Sequence, residues 1–176
     1  MALINTTTTG VLGTTVYGDG SGDLTVQKDG VTVNKVTSAP AFRATNTTTQ
    51  AFASSTWTKC AFSVETFDTN NNYDNATNYR FTPTVAGYYM ITGSLYFSSV
   101  NGQTLSAVYK NGSPFTYGVW TYGTGDISTI ASCLVYANGT TDYFEMWGYH
   151  NGSGSKNLYN DSGGQHSSWQ GIWVRA

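Results

Sequence analysis

The sequence predicts an all-β protein, a sandwich or jelly roll of about ten antiparallel strands, preceded by a short arm with a β-hairpin. Charged residues make up only 10% of the 176, whereas aromatics make up 15%, with 13 Tyr and 5 Trp. Set among many Thr, Ser, Asn and Gly, this mixture favours strands and turns over helices. Beyond Pro40, apolar residues recur in short runs with a period of two, and no run shows the helical period. Asn-Gly dipeptides at 111–112, 138–139 and 151–152 separate these runs. Both positions tolerate the positive φ that two-residue hairpin turns require.

Residues 1–37 form the arm. Asn5 to Gly13 is Thr-rich and Gly18 to Asp23 is a Gly-rich turn, so no large apolar cluster can form there. The organised piece is Leu24, Val26, Val31 and Val33, which alternate with polar residues on either side of Asp29-Gly30 and so predict a hairpin. A lone hairpin is marginal in water, so the arm packs on the main domain or is ordered by a partner. Ser38-Ala39-Pro40 marks the boundary, and 38–176 is the main domain.

Its expected strands are Ala41–Ala44, Trp57–Phe67, Tyr79–Pro83, Gly87–Phe97, Leu105–Tyr109, Ile127–Tyr136, Tyr143–Tyr149 and Ser167–Val174. In Trp57–Phe67 the alternation places Thr58, Cys60, Phe62 and Val64 on one face.

Several function classes are excluded. A net charge of −2 with eight scattered basic residues gives no electrostatic footprint for a phosphate backbone, so no nucleic-acid partner is expected. No stretch approaches the ~20 apolar residues that span a bilayer. Met1 to Asn5 has neither the basic start nor the apolar run of a secretory signal, so synthesis in a cytoplasm is expected. Asn-x-Ser/Thr triplets at Asn46, Asn75 and Asn138 are what chance supplies in a chain this rich in Asn and Thr. Cys60 and Cys133 are too few for a disulfide framework or a four-sulfur metal site and read as small apolar groups, with one bridge between them left open.

Specific residues resemble a known family, the globular head of complement component one-q, whose jelly roll is shared with tumour necrosis factor. Pro40-Ala41-Phe42-Arg43-Ala44 is similar to the family's opening strand, and Phe62 to Asp68 to its second. Tyr73 to Tyr89 resembles its aromatic, acidic, Phe-Thr-x-Pro and Gly-x-Tyr series. Tyr109-Lys110-Asn111-Gly112 is similar to its Lys-Asn-Gly turn, and Ser167 to Ile172 to its last strand. The resemblance covers most of 40–176 and implies a jelly-roll fold and a homotrimer. It also implies calcium near the threefold axis in some members, but the matched motifs fix no ligand, so no cofactor is expected. No Gly-X-Y collagen stem precedes the domain. The compact Thr- and Gly-rich arm instead resembles those on structural proteins of bacterial viruses, which implies a virion surface, made in a bacterial host.

Chemistry is argued mainly by absence. His150 and His166 stand in no metal or triad spacing and read as turn or surface residues. Asp19 to Asp23 faintly resembles a calcium loop, yet Leu24 stands where such a loop needs Gly, and no Glu closes it. Asp142 with Glu145, or Asp68 with Asp74, could be brought together, but paired carboxylates act only in a cleft, and none is implied. The chain is therefore expected not to be an enzyme.

The positive signal is strands that are apolar on both faces. In Gly87–Phe97, Tyr89, Ile91, Leu95 and Phe97 occupy one side and Tyr88, Met90 and Tyr96 the other, where a solvated sheet carries polar residues. In Tyr143–Tyr149 the family register puts Phe144 and Met146 inside, leaving Tyr143, Glu145, Trp147 and Tyr149 outside. Such aromatics need a cover, which a neighbouring subunit can supply. These seven outward residues are the candidate trimer interface, and Leu24, Val26, Val31 and Val33 are the candidate docking arm. The expected function is a trimeric head decoration, head fibre or tail appendage. The competing reading is a receptor-binding tip or bacterial adhesion module that recognises host glycans, with Tyr117, Trp120 and Tyr122 as candidate glycan-binding aromatics.

Overall fold

The structure, a computed structural model, describes residues 39–159 and 166–176 with their side chains, and beyond these the backbone of three strands. The chain divides into two compact units, 1–39 and 40–176. The first holds β1 (Thr15–Tyr17), β2 (Leu24–Lys28) and β3 (Val31–Val36) in a three-stranded antiparallel sheet of that order. The expected hairpin is β2–β3, with Leu24 opposite Val36 and a register shift after Val26. Its Asp29-Gly30 turn and the Gly18 to Asp23 segment lie outside the described residues, and β1 was not expected.

The second unit runs β4 (Ala41–Thr45), β5 (Gln50–Phe52), β6 (Thr58–Lys59), β7 (Val64–Asp68), β8 (Tyr73–Asp74) and β9 (Arg80–Phe81). It continues with β10 (Gly87–Lys110), β11 (Ser113–Tyr117), β12 (Thr121–Ala137), β13 (Phe144–His150), β14 (Lys156–Leu158) and β15 (Ser168–Arg175). All described pairings are antiparallel. The long β10 serves two layers. Its first half lies between β15 and β12, giving the first layer the order β7-β4-β15-β10-β12. Its second half lies between β13 and β11, giving the second layer β8-β9-β13-β10-β11.

The two expected strands 87–97 and 105–109 are therefore one. Continuity survives because the chain bulges between Phe97 and Val100, where Ser99 takes φ 53°, and keeps an unbroken register with β12 through Gly102, whose φ is 152°. Extra residues of this kind bend and twist a strand without ending it. Trp57–Phe67 departs in the opposite direction: β6 pairs with β13 in the second layer and β7 with β4 in the first. Between them the chain crosses layers, burying Cys60 and Phe62 in the core while Thr58 and Val64 stay half-buried.

The core lies between the layers. Phe42 of β4 stacks on Phe81 of β9 at 4.2 Å and meets Trp169 of β15 edge-on at 4.9 Å. Gly93 and Gly148 have no side chain because the opposite layer occupies the space: a Cβ would lie 2.5 Å from the Met146 sulfur and 2.9 Å from Leu95 and Phe52, respectively. Of the four Asn-Gly dipeptides, at 101–102, 111–112, 138–139 and 151–152, 111–112 alone has positive φ at both positions, 53° and 77°. Asn138 instead turns its side-chain oxygen onto the backbone N–H groups of Thr140, Thr141 and Asp142. Asn151 accepts from the Gln103 N–H at 2.7 Å and pins the bend in β10.

Candidate functional surfaces

The outer face of the first layer follows from strict alternation. Tyr88, Met90, Thr92, Ser94 and Tyr96 point away from the core on β10. Register brings Tyr136 beside Tyr88, Leu134 beside Met90 and Ile130 beside Ser94, while β15 places Ile172 on the other flank of Met90. Met90 is 41% exposed, Ile172 52% and Leu134 54%. Phe67 and Val174 are exposed as well. Between Ala41, Phe67, Met90 and Ile172 the face dips into a pocket of about 240 Å³. Isolated exposed apolar residues are ordinary, but a set drawn from four strands, β7, β15, β10 and β12, is the kind of patch that interaction surfaces carry.

The candidate interface residues do not share one surface. Tyr88, Met90 and Tyr96 lie on this face, whereas Tyr143, Glu145, Trp147 and Tyr149 lie on the outer face of the second layer, on or just before β13. The second group has a cover within its own chain. Trp57 lies over the sheet with its ring 5.4 Å from Tyr149, 5.6 Å from Tyr117 and 6.2 Å from Tyr109. Trp147 stacks nearly parallel on Tyr109 at 4.5 Å and donates its indole N–H to Glu145 at 3.0 Å. Glu145, buried against expectation, pairs with Lys59 at 3.1 Å, and the Arg80 guanidinium sits 4.4 Å over the Tyr143 ring.

The candidate glycan-binding aromatics lie along the β11–β12 edge. Tyr117 ends β11, Trp120 precedes β12 and Tyr122 lies within it, with exposures of 55%, 60% and 75%. Gly118 turns the chain between them, where a Cβ would strike the Ile130 carbonyl oxygen. Of the candidate docking residues, Leu24 and Val26 lie on β2 and Val31 and Val33 on β3.

Several of the groups that could do chemistry are engaged in holding the fold. Asp142 accepts from Asn111 and pairs with Lys110 at 2.9 Å; burial opposes its charge, but these hydrogen bonds outweigh that and lower its pKa. Asp68 accepts from the Asn70 and Tyr73 N–H groups. Asp142 and Glu145 are thus each engaged by a different lysine, Lys110 and Lys59. His150 is no surface residue: it is fully buried, with Nε2 2.8 Å from the Phe52 carbonyl oxygen. His166 packs against the rings of Tyr96 and Tyr159, 4.9 Å from each. Both cysteines are free, and burial pushes Cys133 up to about 11 and Cys60 well above its ordinary value. Neither is a thiolate at neutral pH. Among the described residues no group of three or more His, Cys, Asp or Glu is placed to hold a metal ion.

Asp74 illustrates the structural use of charge. The N–H groups of Thr77 and Ala76, with those of Asn78, donate to its carboxylate and lower its pKa to about 2. A carboxylate depressed in the folded state stabilises fully above its unfolded value, here near 3.8, and loses that contribution as pH falls towards 2. A pH titration followed by NMR is expected to show the amides of 76–78 shifting with a midpoint near 2, and Asp74→Ala to loosen this turn at neutral pH, with the difference from the parent chain shrinking as pH falls towards 2.

No family model matches the sequence, and no curated protein matches it significantly. Solved structures do match. Murine APRIL at pH 5.0 aligns with a TM-score of 0.59 at 8% identity, covering 77% of this chain and 99% of that one. The globular domain of zebrafish complement 1qA gives 0.55 at 13% identity, covering 78% and 99%, and Eiger TNF from S. frugiperda gives 0.56 at 6%, covering 77% and 91%. At such identities the likeness is one of fold, and it spans nearly the whole of each of these domains. The β-sandwich of residues 40–176 is thus the jelly roll common to tumour necrosis factor proteins and complement one-q heads.

Proposed function

We propose that the chain is a non-enzymatic structural protein that assembles as a homotrimer on the surface of a bacteriophage particle. The carrying observation is the apolar outer face of the first layer, centred on Met90, Leu134 and Ile172. Burying it repays roughly 25 cal/mol per Å² of apolar surface removed from water, and a second copy of the chain is always available to do so. The fold supports this reading, since the family resemblance of residues 40–176 implies a homotrimer and the solved structures share that jelly roll. Engagement of Asp68, Asp74, Asp142 and Glu145 in hydrogen bonds and ion pairs supports a non-catalytic role. The separate compact unit at 1–39 supports the arm as the docking element to other virion proteins.

Light scattering on a size-exclusion column is expected to give three times 19.0 kDa, unchanged by EDTA. A monomer at micromolar concentration rejects the assembly. Deleting 1–37 is expected to leave a folded trimer that no longer joins the particle. Loss of folding on that deletion would make the arm an integral part of the sheet instead. Labelled-antibody electron microscopy then separates head decoration or fibre from tail appendage. A second reading, recognition of host glycans, is favoured by the exposed row of Tyr117, Trp120 and Tyr122, and a tail-tip label favours it.

A further inference from the structure

A shallow, open cavity of about 440 Å³ lies at one side of the sandwich, lined by Glu65 of β7, by Asn71 to Asn75, and by Arg80, Thr82 and Thr84. β7 is the edge strand of the first layer, and β8 and β9 stand at the edge of the second, so the cavity lies where the two layers part. Its size falls within the range of about 300–1,000 Å³ usual for small-molecule sites. It shares no residue with the apolar face or with the row of edge aromatics.

Its walls are fixed in advance. The Asn72 side chain donates to the Asn70 carbonyl at 3.0 Å and accepts from the Thr84 N–H at 3.1 Å, and its backbone carbonyl accepts from Thr82 at 2.8 Å. Asp68 grips the Tyr73 N–H at 2.6 Å, the Tyr73 hydroxyl donates to the Phe62 carbonyl at 2.8 Å, and Asp74 holds the turn at 75–78. Against this rigid frame stand side chains whose polar atoms take no part in any described hydrogen bond or ion pair: Glu65, Asn71, Asn75, Arg80 and Thr82. Arg80 rests on the Tyr143 ring and forms no ion pair with Glu65, although the two line one cavity with opposite charge.

We propose that this cavity binds a neutral saccharide. A carboxylate accepts, a guanidinium donates, and two carboxamides and a hydroxyl do both, which is the complement of a ring carrying several hydroxyls. Bonds to the two charged groups are the strong ones, and a ligand with donors and acceptors can bridge them. Two carboxylates, Glu65 and Asp74, against one guanidinium leave the lining net negative, which disfavours acidic sugars and phosphates. Preorganisation by Asn72, Asp68 and Asp74 means little ordering is needed on binding. The site depends on neither trimerisation nor virion location.

The test is saturation-transfer NMR and calorimetry on the full chain with the methyl glycosides of glucose, galactose, mannose and N-acetylglucosamine, with glycine and N-acetylneuraminic acid alongside. At least one neutral glycoside is expected to bind, and Glu65→Gln, Thr82→Val and Arg80→Leu each to weaken it about tenfold. Thr82→Val and Glu65→Gln preserve shape and carry the test should Arg80→Leu unfold on losing the Tyr143 contact. Trp120→Ala is expected to leave binding unchanged. Binding lost in Trp120→Ala but kept in the cavity variants would assign the sugar to the edge aromatics and overturn the proposal. Binding of glycine or N-acetylneuraminic acid alone, or of none of the probes, would overturn it as well.

Discussion

Met90→Lys is expected to give a folded monomer. Met90 sits at the centre of the first layer's outer face, flanked by Leu134 through β12 and by Ile172 through β15. Its side chain is exposed in the single chain, so lysine costs the isolated fold little. In the proposed trimer the ammonium is trapped among apolar side chains, and loss of a central contact of this kind costs about 2 kcal/mol or more per interface, roughly 30-fold in affinity. A threefold assembly carries that loss three times. Trp147→Ala is the contrasting variant, because Trp147 is held by Tyr109 and Glu145 of its own chain. It is expected to stay trimeric and melt lower. Light scattering with circular dichroism melts on both proteins decides: a trimeric Met90→Lys with a dissociated but folded Trp147→Ala would move the interface to the second layer.

These two variants show how far a period of two reaches. Alternation along Gly87–Phe97 correctly separates Tyr89, Ile91, Leu95 and Phe97, all buried, from Tyr88, Met90 and Tyr96. The same rule separates Phe144 and Met146 from Trp147 and Tyr149 on β13. It tells which side a residue faces, but not what covers that side. The cover over Trp147 and Tyr149 comes from Trp57 and Lys59, some 90 positions earlier, and nothing local to β13 announces it. Glu145 is buried for the same reason. Ile130 and Leu134 were legible in principle, since Ile127 to Tyr136 is apolar on both faces just as Gly87 to Phe97 is; Ile172 becomes central only once β15 lies beside β10.

Strand boundaries were the harder reading. Ser98 to Thr104 is polar and Gly-containing, a composition that suggests a loop, yet it stays extended because Thr121–Gly125 pairs with it and Asn151 holds the bend. Long-range partners of this sort override local preference. Asn-Gly has the same ambiguity: at 111–112 the backbone takes the hairpin geometry, whereas at 138 and 151 the carboxamide is worth more as a cap or a brace. The polar cavity was invisible in the sequence. Glu65 lies 15 positions from Arg80, and only the parting of the two layers between β7 and β8 gives them a common space.

Trp169→Ala is expected to be the most damaging single substitution in the core. Trp169 lies on β15 between β4 and β10, is fully buried, and meets Phe42 at 4.9 Å and Tyr73 at 5.9 Å in edge-on contacts. Phe42 in turn stacks on Tyr73 and Phe81, so the indole wedges a ring cluster drawn from both layers. Removing it leaves a cavity that the paired strands around it cannot close, at about 3–5 kcal/mol. Against a total stability of about 5–15 kcal/mol this is a large fraction, and the melting temperature should fall by roughly 10–20 °C. Ile172→Ala, three residues along the same strand but on the outer face, is the control. In a monomeric Met90→Lys background it should change stability by about 0.5 kcal/mol or less. Urea melts of the two variants in that background check the orientation of β15: an Ile172→Ala loss that matched or exceeded that of Trp169→Ala would mean the strand presents its other side to the core.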